Sequence, residues 1–346
     1  MIEILKDYDL TKLNTFGIKA QARFFVEINS EEDLKELFET SEFKESEKLF
    51  LGGGSNVLFT KDFSGIVVLN KLKGIEIISE NENEVLIKSM GGEWWNDLVN
   101  FAVERNYWGI ENLSLVPGTV GATPVQNIGA YGVELKDFLE NVEAYEIQTG
   151  DPSTMLGARK RIFSNKECEF GYRDSVFKGK LKGQYFISAV TLKLSKLENK
   201  NVRYKALQEY LDKNNIVVKN VKDISNAVCE IRRSKLPDPK VLGNAGSFFK
   251  NVFVDSEKLE ELKNKFPEIP VFEEGEYIKI PAGWLIEQCG WKGKRVGNVG
   301  VHDKQALVLV NHGGATGEEI KNLAFEIIDS VYKKFGLKLT PEVNFI

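Results

Sequence analysis

The amino-acid sequence predicts an α+β protein. The chain has 346 residues, which allows one large domain or two to three ordinary ones. Its composition is globular, with 42% hydrophobic residues, 28% charged residues and only 9 prolines. Strand-like and helix-like patterns also follow one another in separate blocks along the chain. These three observations together predict the fold class.

The first block predicts a small βαβ-type unit with a glycine turn at its centre. Residues 22–28 have a strand-like pattern, and Ser30 precedes a helix whose apolar residues follow helical spacing. Residues 48–51 then return as a strand that leads into Gly52-Gly53-Gly54-Ser55-Asn56. A further strand is expected at 66–69.

The second block predicts a hairpin, a helix and two longer strands. The hairpin is expected at 75–88 and the helix near 93–105, after Gly91-Gly92. The longer strands are expected at 142–148 and 185–194. Between them, Arg159-Lys160-Arg161 predicts a solvated basic loop, part of a long basic segment at 151–161 to which we assign no function.

The third block begins near Leu236-Pro237-Asp238-Pro239, which cannot continue a helix and marks a boundary. Two helices are expected before this boundary, near 205–212 and 224–233. Further along, Thr316 and Glu319 have the spacing of a capping box. They predict the start of an amphipathic helix that ends at Gly336.

Cysteine, histidine and charge content exclude several classes of protein. The cysteines Cys168, Cys229 and Cys289 are odd in number and far apart, so neither a disulfide framework nor a cysteine-type zinc site is expected. With His302 and His312 as its only histidines, the chain has no His-rich metal centre, and we expect no metal. The net charge of −5 gives no electrostatic reason to bind nucleic acid or membrane. Because no signal peptide is readable, a cytoplasmic location is expected.

Residues 112–133 carry no charged side chain, although the stretch is as long as a membrane span. Its prolines and glycines would break a spanning helix, so contact with a ligand is our preferred explanation. The fingerprints G-x-G-x-x-G and G-x-x-x-x-G-K-[ST] are both missing from the sequence. A Rossmann dinucleotide site and a P-loop are therefore disfavoured.

Two glycine-rich loops are candidates for ligand binding. Consecutive glycines at 52–54, followed by Ser55 and Asn56, either form a nest of backbone donors for an anion or make a structural turn. The loop at 117–132 offers backbone donors and amides without formal charge, which suits a long, polar cofactor. An ordinary surface loop is the alternative there, although such loops usually carry Lys or Glu.

These loops and five further segments together resemble the UDP-N-acetylenolpyruvoylglucosamine reductase family, in the subtype with a tyrosine loop. The likeness runs in one order from about residue 11 onward. The five segments are Leu13-Asn14-Thr15-Phe16-Gly17, Phe170-Gly171-Tyr172-Arg173-Asp174-Ser175, Lys235-Leu236-Pro237-Asp238-Pro239-Lys240, Gly243-Asn244-Ala245-Gly246-Ser247-Phe248-Phe249-Lys250-Asn251 and Pro341-Glu342-Val343.

The resemblance implies an FAD-binding fold of the vanillyl-alcohol-oxidase type in two subdomains, followed by a C-terminal α+β substrate domain. The first subdomain is expected at 1–72, joined by 337–346, the second at 73–222 and the substrate domain at 223–336. The family reduces UDP-N-acetylglucosamine enolpyruvate to UDP-N-acetylmuramate for peptidoglycan synthesis. FAD would be bound non-covalently, and NADPH would be the co-substrate.

The resemblance also implies a set of site residues. Arg173, Ser247 and Glu342 match the catalytic positions, although by themselves they read as a structural ion pair, a turn serine and a solvated acid. Substrate contacts are implied for Tyr172, Tyr204, Lys235, Asn251 and Gln305. Cofactor contacts are implied for Gly52, Gly53, Gly54, Ser55, Asn56, Val57, Pro117, Gly118, Thr119, Gly121, Ala122, Thr123, Gln126, Asn127, Gly129, Ala130, Tyr131, Gly132 and Arg232.

The sequence departs from the family pattern at Asn344, where an arginine is usual. Two other functions stay open: a flavin oxidase of the same cofactor fold acting on an alcohol or sugar, and a nucleotide-binding scaffold without catalysis. Such a scaffold would have no need for Arg173, Ser247 and Glu342 together. We expect a monomer that binds small molecules, does not bind nucleic acid and does not insert into a membrane.

Overall fold

The computed structural model describes residues 2–147, 159–274 and 277–346. Residues 151–158 of the basic segment at 151–161 lie outside the described residues. The chain forms two compact units, which are Met1–Tyr8 with Ala22–Gly53 and Phe63–Ser234, and Asp9–Gln21 with Gly54–Asp62 and Lys235–Ile346. Strands and helices are mixed in both, which confirms the α+β class. The three-part domain division stays a prediction.

Strands and helices are numbered along the chain. The strands are β1 (Leu5–Asp9), β2 (Gln21–Ile28), β3 (Lys48–Leu51), β4 (Val57–Leu58), β5 (Phe63–Asn70), β6 (Ile75–Glu80), β7 (Glu84–Met90), β8 (Gly129–Ala130), β9 (Val133–Glu134), β10 (Leu139–Glu146), β11 (Lys160–Ser164), β12 (Tyr185–Ser195), β13 (Gly243–Ser247), β14 (Val252–Val254), β15 (Phe272–Glu274), β16 (Tyr277–Ile280), β17 (Arg295–Val296), β18 (Val299–Val301), β19 (Val308–Asn311) and β20 (Asn344–Phe345). The helices are α1 (Glu31–Glu39), α2 (Ser41–Glu45), α3 (Trp95–Glu104), α4 (Lys205–Lys213), α5 (Val221–Lys235), α6 (Ser256–Lys265), α7 (Ala282–Gln288) and α8 (Gly317–Phe335).

The first sheet of the first unit has the order β1-β2-β5-β3, and both β2 and β3 run parallel to β5. Helix α1 connects β2 towards β3 and begins with a capping box. Ser30 Oγ accepts from the Asp33 amide at 3.1 Å, and the Asp33 carboxylate accepts from the Ser30 amide at 3.0 Å. Leu34 and Leu37 are fully buried in the core beneath the sheet. The predicted strands and capped helix are therefore confirmed.

The second sheet of this unit is antiparallel, in the order β11-β10-β12-β7-β6. Its core includes the apolar face of α3, where Trp95, Leu98 and Val99 are fully buried. Helices α4 and α5 form a smaller cluster around Trp108. The predicted hairpin, the long strands and these three helices are confirmed, with ends that differ by a few residues.

The prediction of a solvated loop at Arg159-Lys160-Arg161 is wrong, because Lys160 and Arg161 begin β11, an edge strand of the second sheet. Lys160 Nζ lies 2.8 Å from Glu31 Oε1 on α1 and 2.8 Å from Glu143 Oε2 on β10. These carboxylates are distant in sequence, so a basic triplet by itself gave no sign of the strand.

The second unit contains two antiparallel sheets, β13-β19-β18-β17 and β14-β16-β15, and the short parallel pair of β4 and β20. Helix α8 follows the predicted boundaries. Thr316 Oγ1 accepts from the Glu319 amide at 3.2 Å, and the Glu319 carboxylate accepts from the Thr316 amide at 2.7 Å. Gly336 ends the helix with φ +65°, in the left-handed region that favours glycine.

The charge-free segment 112–133 is mostly buried in the first unit. Leu113 and Val120 are fully buried in its core, and the buried residues also include the polar Asn112 and Asn127. Burial thus accounts for much of the missing charge, and the alternative of an ordinary surface loop is wrong. Within the described residues, we find no helix with the length and apolar character that crossing a bilayer requires.

Glu111 is a buried acid next to this segment. Its side chain is only 1% exposed, and one carboxylate oxygen accepts from the Gly109 amide at 2.6 Å. Burial raises the pKa of Glu111 to about 7, although the backbone hydrogen bonds oppose the shift. The unfolded chain therefore ionises this group at lower pH than the folded protein does. As a result, Glu111 lowers stability progressively as the pH rises from about 4.5 to about 7.

We predict that Glu111→Gln flattens this pH dependence. A shift from 4.5 to about 7 corresponds to about 3 kcal/mol, so the variant should gain up to that amount over the original protein at pH 8. At pH 4.5 the two should be equally stable. Urea unfolding at pH 4.5, 6 and 8 measures the difference, and a constant difference across this range would contradict the assignment.

Candidate active site

The first glycine loop leaves β3 and lies against the second glycine loop within the first unit. A Cβ on Gly52 would overlap Thr119 Oγ1. A Cβ on Gly53 would lie 2.8 Å from the Trp94 ring and 2.9 Å from Gly118 Cα. Neither position has room for a side chain, so the approach of the two loops requires glycine.

Backbone hydrogen bonds hold the second loop on the start of α3. Gly121 donates to Gly91 O at 2.8 Å, and Val120 donates to the carbonyl of Glu93 at 2.8 Å. In return, the Trp95 amide donates to Gly118 O at 3.0 Å. The loop is thereby fixed on the same element that carries the exposed ring of Trp94.

The donors at this junction fit a cofactor with a diphosphate. Thr119 Oγ1 is buried and has no hydrogen-bond partner among the residues that the structure describes. Leaving such a group unpaired costs about 1–3 kcal/mol, which favours a bound ligand atom beside it. Glycine amides supply donors without side chains in the way. The FAD expected from the sequence is compatible with this donor set.

The other half of the first glycine motif belongs to the second unit. Gly54 has φ +61° and its carbonyl accepts from the Thr15 amide at 3.0 Å. Asn56 O accepts from both the backbone amide and the side-chain amide of Asn344, at 3.1 and 3.0 Å. Asn344 pairs with Val57 in the β4–β20 ladder. The residue that replaces the usual arginine thus joins this motif to β20.

Tyr131 and Gly132 form the turn of the β8–β9 hairpin, with φ values of +49° and +85°. The buried side chain of Asn112 donates to Tyr131 O at 2.9 Å and to Asn201 O at 2.8 Å. This amide connects the hairpin to the segment that precedes Tyr204. The rings of Tyr131 and Tyr204 meet edge to face, with centroids 5.5 Å apart.

Arg232 on α5 lies close enough to the hydroxyl of Tyr131 for the two groups to interact electrostatically. Burial lowers the pKa of the Arg232 guanidinium and raises the pKa of Tyr131, while their mutual interaction opposes both shifts. Tyr131, Tyr204 and Arg232, which are far apart along the chain, therefore lie together; their binding roles stay predictions.

Arg173 occupies a tight turn between Gly171 and Asp174, whose backbones are hydrogen-bonded to each other in both directions. Its φ of +52° is unusual for a residue with a side chain. Arg173 Nη2 donates to Gly129 O at 2.5 Å, and Nη1 lies 3.8 Å from Glu134 Oε1. The guanidinium is therefore held against the β8–β9 hairpin, with Tyr172 beside it in the same turn.

Asn127 connects this turn to the hairpin. Its Nδ2 donates to Glu134 Oε2 at 2.9 Å and to Gly171 O at 3.0 Å, and its Oδ1 accepts from the Lys136 amide at 3.1 Å. The side chain is fully buried. Asn127 therefore shapes the surroundings of Arg173 as well as the cofactor loop.

Ser247 and Glu342 lie on neighbouring segments of the second unit. Ser247 ends β13 and is exposed, after Gly246 with φ +67°. The next residue, Phe248, is fully buried, and its carbonyl accepts from the Glu342 amide at 2.8 Å. One backbone hydrogen bond thus brings the two sequence-predicted residues close together.

The predicted contacts for the nucleotide occupy different parts of the second unit. Lys235 is an exposed residue at the end of α5. Asn251 Oδ1 accepts from the Ala282 amide at 3.1 Å, at the start of α7. Gln305 Oε1 lies 3.2 Å from where a Cβ of Gly283 would be. Asn251 and Gln305 therefore both border the start of α7.

Sequence reasoning missed three residues of these groups. Trp94 borders the glycine loops, Asn112 holds the hairpin turn, and Glu134 contacts Arg173. Glu134 is the first charged residue after the charge-free segment, and this position could have marked it as a candidate site residue. Trp94 and Asn112 gave none, because their roles depend on neighbours that are distant in sequence.

Comparison with known proteins decides the family. Over its whole length the chain is 48% identical to the UDP-N-acetylenolpyruvoylglucosamine reductase of Flavobacterium johnsoniae, whose whole length is also covered. A protein of the same name from Porphyromonas gingivalis is 44% identical, again with both chains fully covered. The chain belongs to the UDP-N-acetylenolpyruvoylglucosamine reductase family. The resemblance noted in the sequence is therefore confirmed, and a flavin oxidase has less support.

Family models and a solved structure agree with the reductase fold. Residues 238–346 match the C-terminal domain of UDP-N-acetylenolpyruvoylglucosamine reductase, and residues 22–154 match an FAD binding domain. The crystal structure of the reductase from Thermus caldophilus aligns with a TM-score of 0.64 at 22% identity. It covers 100% of this chain and 98% of that one. The predicted FAD-binding fold is therefore confirmed.

We predict that Asn127→Ala destabilises the reductase by about 3 kcal/mol, since three hydrogen bonds are lost at about 1 kcal/mol each. Urea unfolding measures the change. Asn83→Ala is the matched control, because Asn83 is exposed in the β6–β7 turn and should change stability by less than about 0.5 kcal/mol. Equal effects of the two variants would contradict the structural role of Asn127.

Proposed function

We propose that this reductase uses NADPH and FAD to convert UDP-N-acetylglucosamine enolpyruvate into UDP-N-acetylmuramate, a precursor of peptidoglycan. The full-length likeness to relatives named for this activity carries the proposal. The match of residues 22–154 to an FAD binding domain supports the cofactor, and so does the unpaired Thr119 hydroxyl between the glycine loops.

The two glycine loops would hold FAD. The amides of Gly52, Gly53 and Gly118 and the hydroxyl of Thr119 suit its diphosphate, because close approach of the backbone is possible there. The hairpin turn at Tyr131, together with Arg232, would contact the cofactor further along. When bound, FAD accepts a hydride from NADPH and supplies one to C3 of the enolpyruvyl group.

Arg173 would stabilise the negative charge that develops at C2 and on the adjoining carboxylate. Its guanidinium is fixed before the reaction by Gly129 O and Glu134, so little reorganisation is needed when the charge appears. A planar guanidinium also matches the fork of a carboxylate. Tyr172, in the same turn, would contact the substrate.

Ser247 Oγ would donate the proton that C2 requires, since its exposed position leaves it accessible to a ligand. A serine hydroxyl is a weak acid, but the carbanion-like C2 is far more basic. Glu342, whose backbone is hydrogen-bonded beside Ser247, would polarise the enolpyruvyl group. Glu342 would thus polarise the substrate, and Ser247 would transfer the proton.

Lys235, Asn251 and Gln305 would bind the uridine diphosphate, with Lys235 as a mobile positive charge for the phosphates. Tyr204, 46% exposed and packed edge to face on Tyr131, would close over the substrate from the tyrosine loop. Because the ring of Tyr204 is partly exposed, it has apolar surface that it could bury against a ligand.

The two larger sheets of the first unit lie within 1–72 and 73–222, which supports the proposal of two FAD-binding subdomains with these bounds. The core beneath the first sheet also includes Tyr145 and Phe186 of the second sheet. The substrate domain would correspond to 223–336, with 337–346 returning to the first subdomain. We also propose a cytoplasmic monomer, and this location suits an enzyme that uses a UDP-sugar and NADPH. The net charge of −5 offers nucleic acid no attraction.

We predict that the purified protein is yellow and that acid precipitation releases the colour, because FAD is held by backbone donors without a covalent bond. His302 and His312 both lie outside residues 22–154, so no histidine tether is expected there. Anaerobic NADPH should bleach the visible spectrum, and the enolpyruvyl substrate should restore it. Flavin that remains with the precipitate would refute non-covalent binding, and a spectrum unaffected by substrate would refute the proposed reaction.

We predict that Ser247→Ala separates the two half-reactions. Bleaching by NADPH should be unchanged, because that step needs no proton at C2. Reoxidation by the enolpyruvyl substrate should slow by roughly 10²-fold or more, the usual effect of losing a positioned general acid. Rapid-mixing absorbance follows both steps.

Ser256→Ala is the matched control, because Ser256 is an exposed serine at the start of α6 in the same unit. It should leave both rates unchanged. Equal slowing of both half-reactions by Ser247→Ala would indicate a distorted pocket. Normal reoxidation would mean that another group supplies the proton.

A further inference from the structure

Glu134 lies at the centre of the interactions around Arg173. One carboxylate oxygen, Oε1, is 3.8 Å from Arg173 Nη1. The other, Oε2, accepts from Asn127 Nδ2 at 2.9 Å and lies 2.9 Å from Lys136 Nζ. The side chains of Arg173 and Glu134 are only 18% and 22% exposed, so solvent screens this pair less than a surface pair.

Gly129 makes this arrangement possible. A Cβ at that position would lie 2.8 Å from Arg173 Nη1 and 2.9 Å from Glu134 Cγ. The side chains of Arg173 and Glu134 therefore occupy the space that the Cβ of a larger residue at position 129 would need. Gly129 O also accepts from Arg173 Nη2, so a backbone carbonyl and a carboxylate both contact the guanidinium.

The same carboxylate also acts on the backbone of Arg173. Asn127 donates hydrogen bonds both to Glu134 and to the carbonyl of Gly171. Gly171 is the first residue of the turn that contains Arg173. Because Arg173 has a left-handed φ of +52°, the turn needs such support to persist. Glu134 is thus connected to both ends of the arginine: directly to the guanidinium and through Asn127 to the turn.

We propose that Glu134 is a positioning residue that orients the Arg173 guanidinium toward the charge developing on the substrate. This inference rests on the proposed function of Arg173. At 3.8 Å the pair is longer than a hydrogen bond, so Glu134 aligns the cation without forming a short bidentate pair with it. Removing the charge leaves Arg173 present but less well oriented, and catalysis depends strongly on such orientation.

A double-mutant cycle on the full-length protein with bound flavin tests this role. The variants are Glu134→Gln, Arg173→Lys and the combination of both, and the measured quantity is the rate of flavin reoxidation by the enolpyruvyl substrate. Glu134→Gln alone should slow this step by roughly 5- to 10-fold. In the Arg173→Lys background, which is itself slower, it should change the rate by less than about 2-fold, because Glu134 acts through Arg173.

Glu140→Gln is the matched control, since Glu140 is an exposed acid on β10 a few residues further along. It should leave the rate unchanged. Flavin content and the urea midpoint are measured for every variant, and they should stay near the original values in Glu134→Gln. If the glutamine variant loses flavin, Glu134→Asp takes its place in the cycle, because it keeps the charge and shifts its position.

The possible results separate the inference from the proposed function. Slowing by Glu134→Gln that is lost in the Arg173→Lys background supports the positioning role. Equal slowing in both backgrounds, or none in either, overturns it while the role of Arg173 stands. An Arg173→Lys protein with unchanged reoxidation would overturn the role of Arg173 and the inference together.

Discussion

The close approach of two glycine loops is the constraint on which the site in the first unit depends. Gly52 and Gly53 meet Thr119 and Gly118 at distances that leave no space for a Cβ. Any larger residue would separate the loops and remove the neutral, backbone-lined surface between them. The rest of the unit keeps this contact in place, through the hydrogen bonds from the start of α3 and the burial of residues 112–133.

The proposed catalytic arginine depends on the same loop in a different way. Its left-handed backbone conformation costs about 1 kcal/mol or more, so it persists only where neighbouring groups determine it. Asn127, Gly129 and Glu134 supply these contacts from a single hairpin and the loop before it. The loop proposed to bind the cofactor and the guanidinium of Arg173 therefore share one structural framework.

Local signals in the sequence predicted the helices and strands well. Ser30 and Thr316 are followed at the correct spacing by an acid, and both caps form as expected because only neighbouring residues take part. Lys160 was misinterpreted because its partners Glu31 and Glu143 are brought to it by tertiary folding. Family motifs indicated Arg173 as a site residue, whereas the proposed role of Glu134 follows from contacts that only the folded structure shows. Features that depend on neighbouring residues could thus be predicted from the sequence, whereas contacts between residues far apart in the sequence could not.

The pairing of β4 with β20 has a consequence for how the protein folds. Asn344 pairs with Val57, and the Thr60 amide donates to Ile346 O at 2.8 Å, so segments 286 residues apart in the sequence are neighbours. Contacts of such sequence separation form slowly, because a very long loop must close first. During synthesis, β4 can pair with β20 only after almost the entire chain has been made. The second unit is therefore completed late. A fragment that begins at residue 235 would lack β4 and the other residues that 9–21 and 54–62 contribute to this unit.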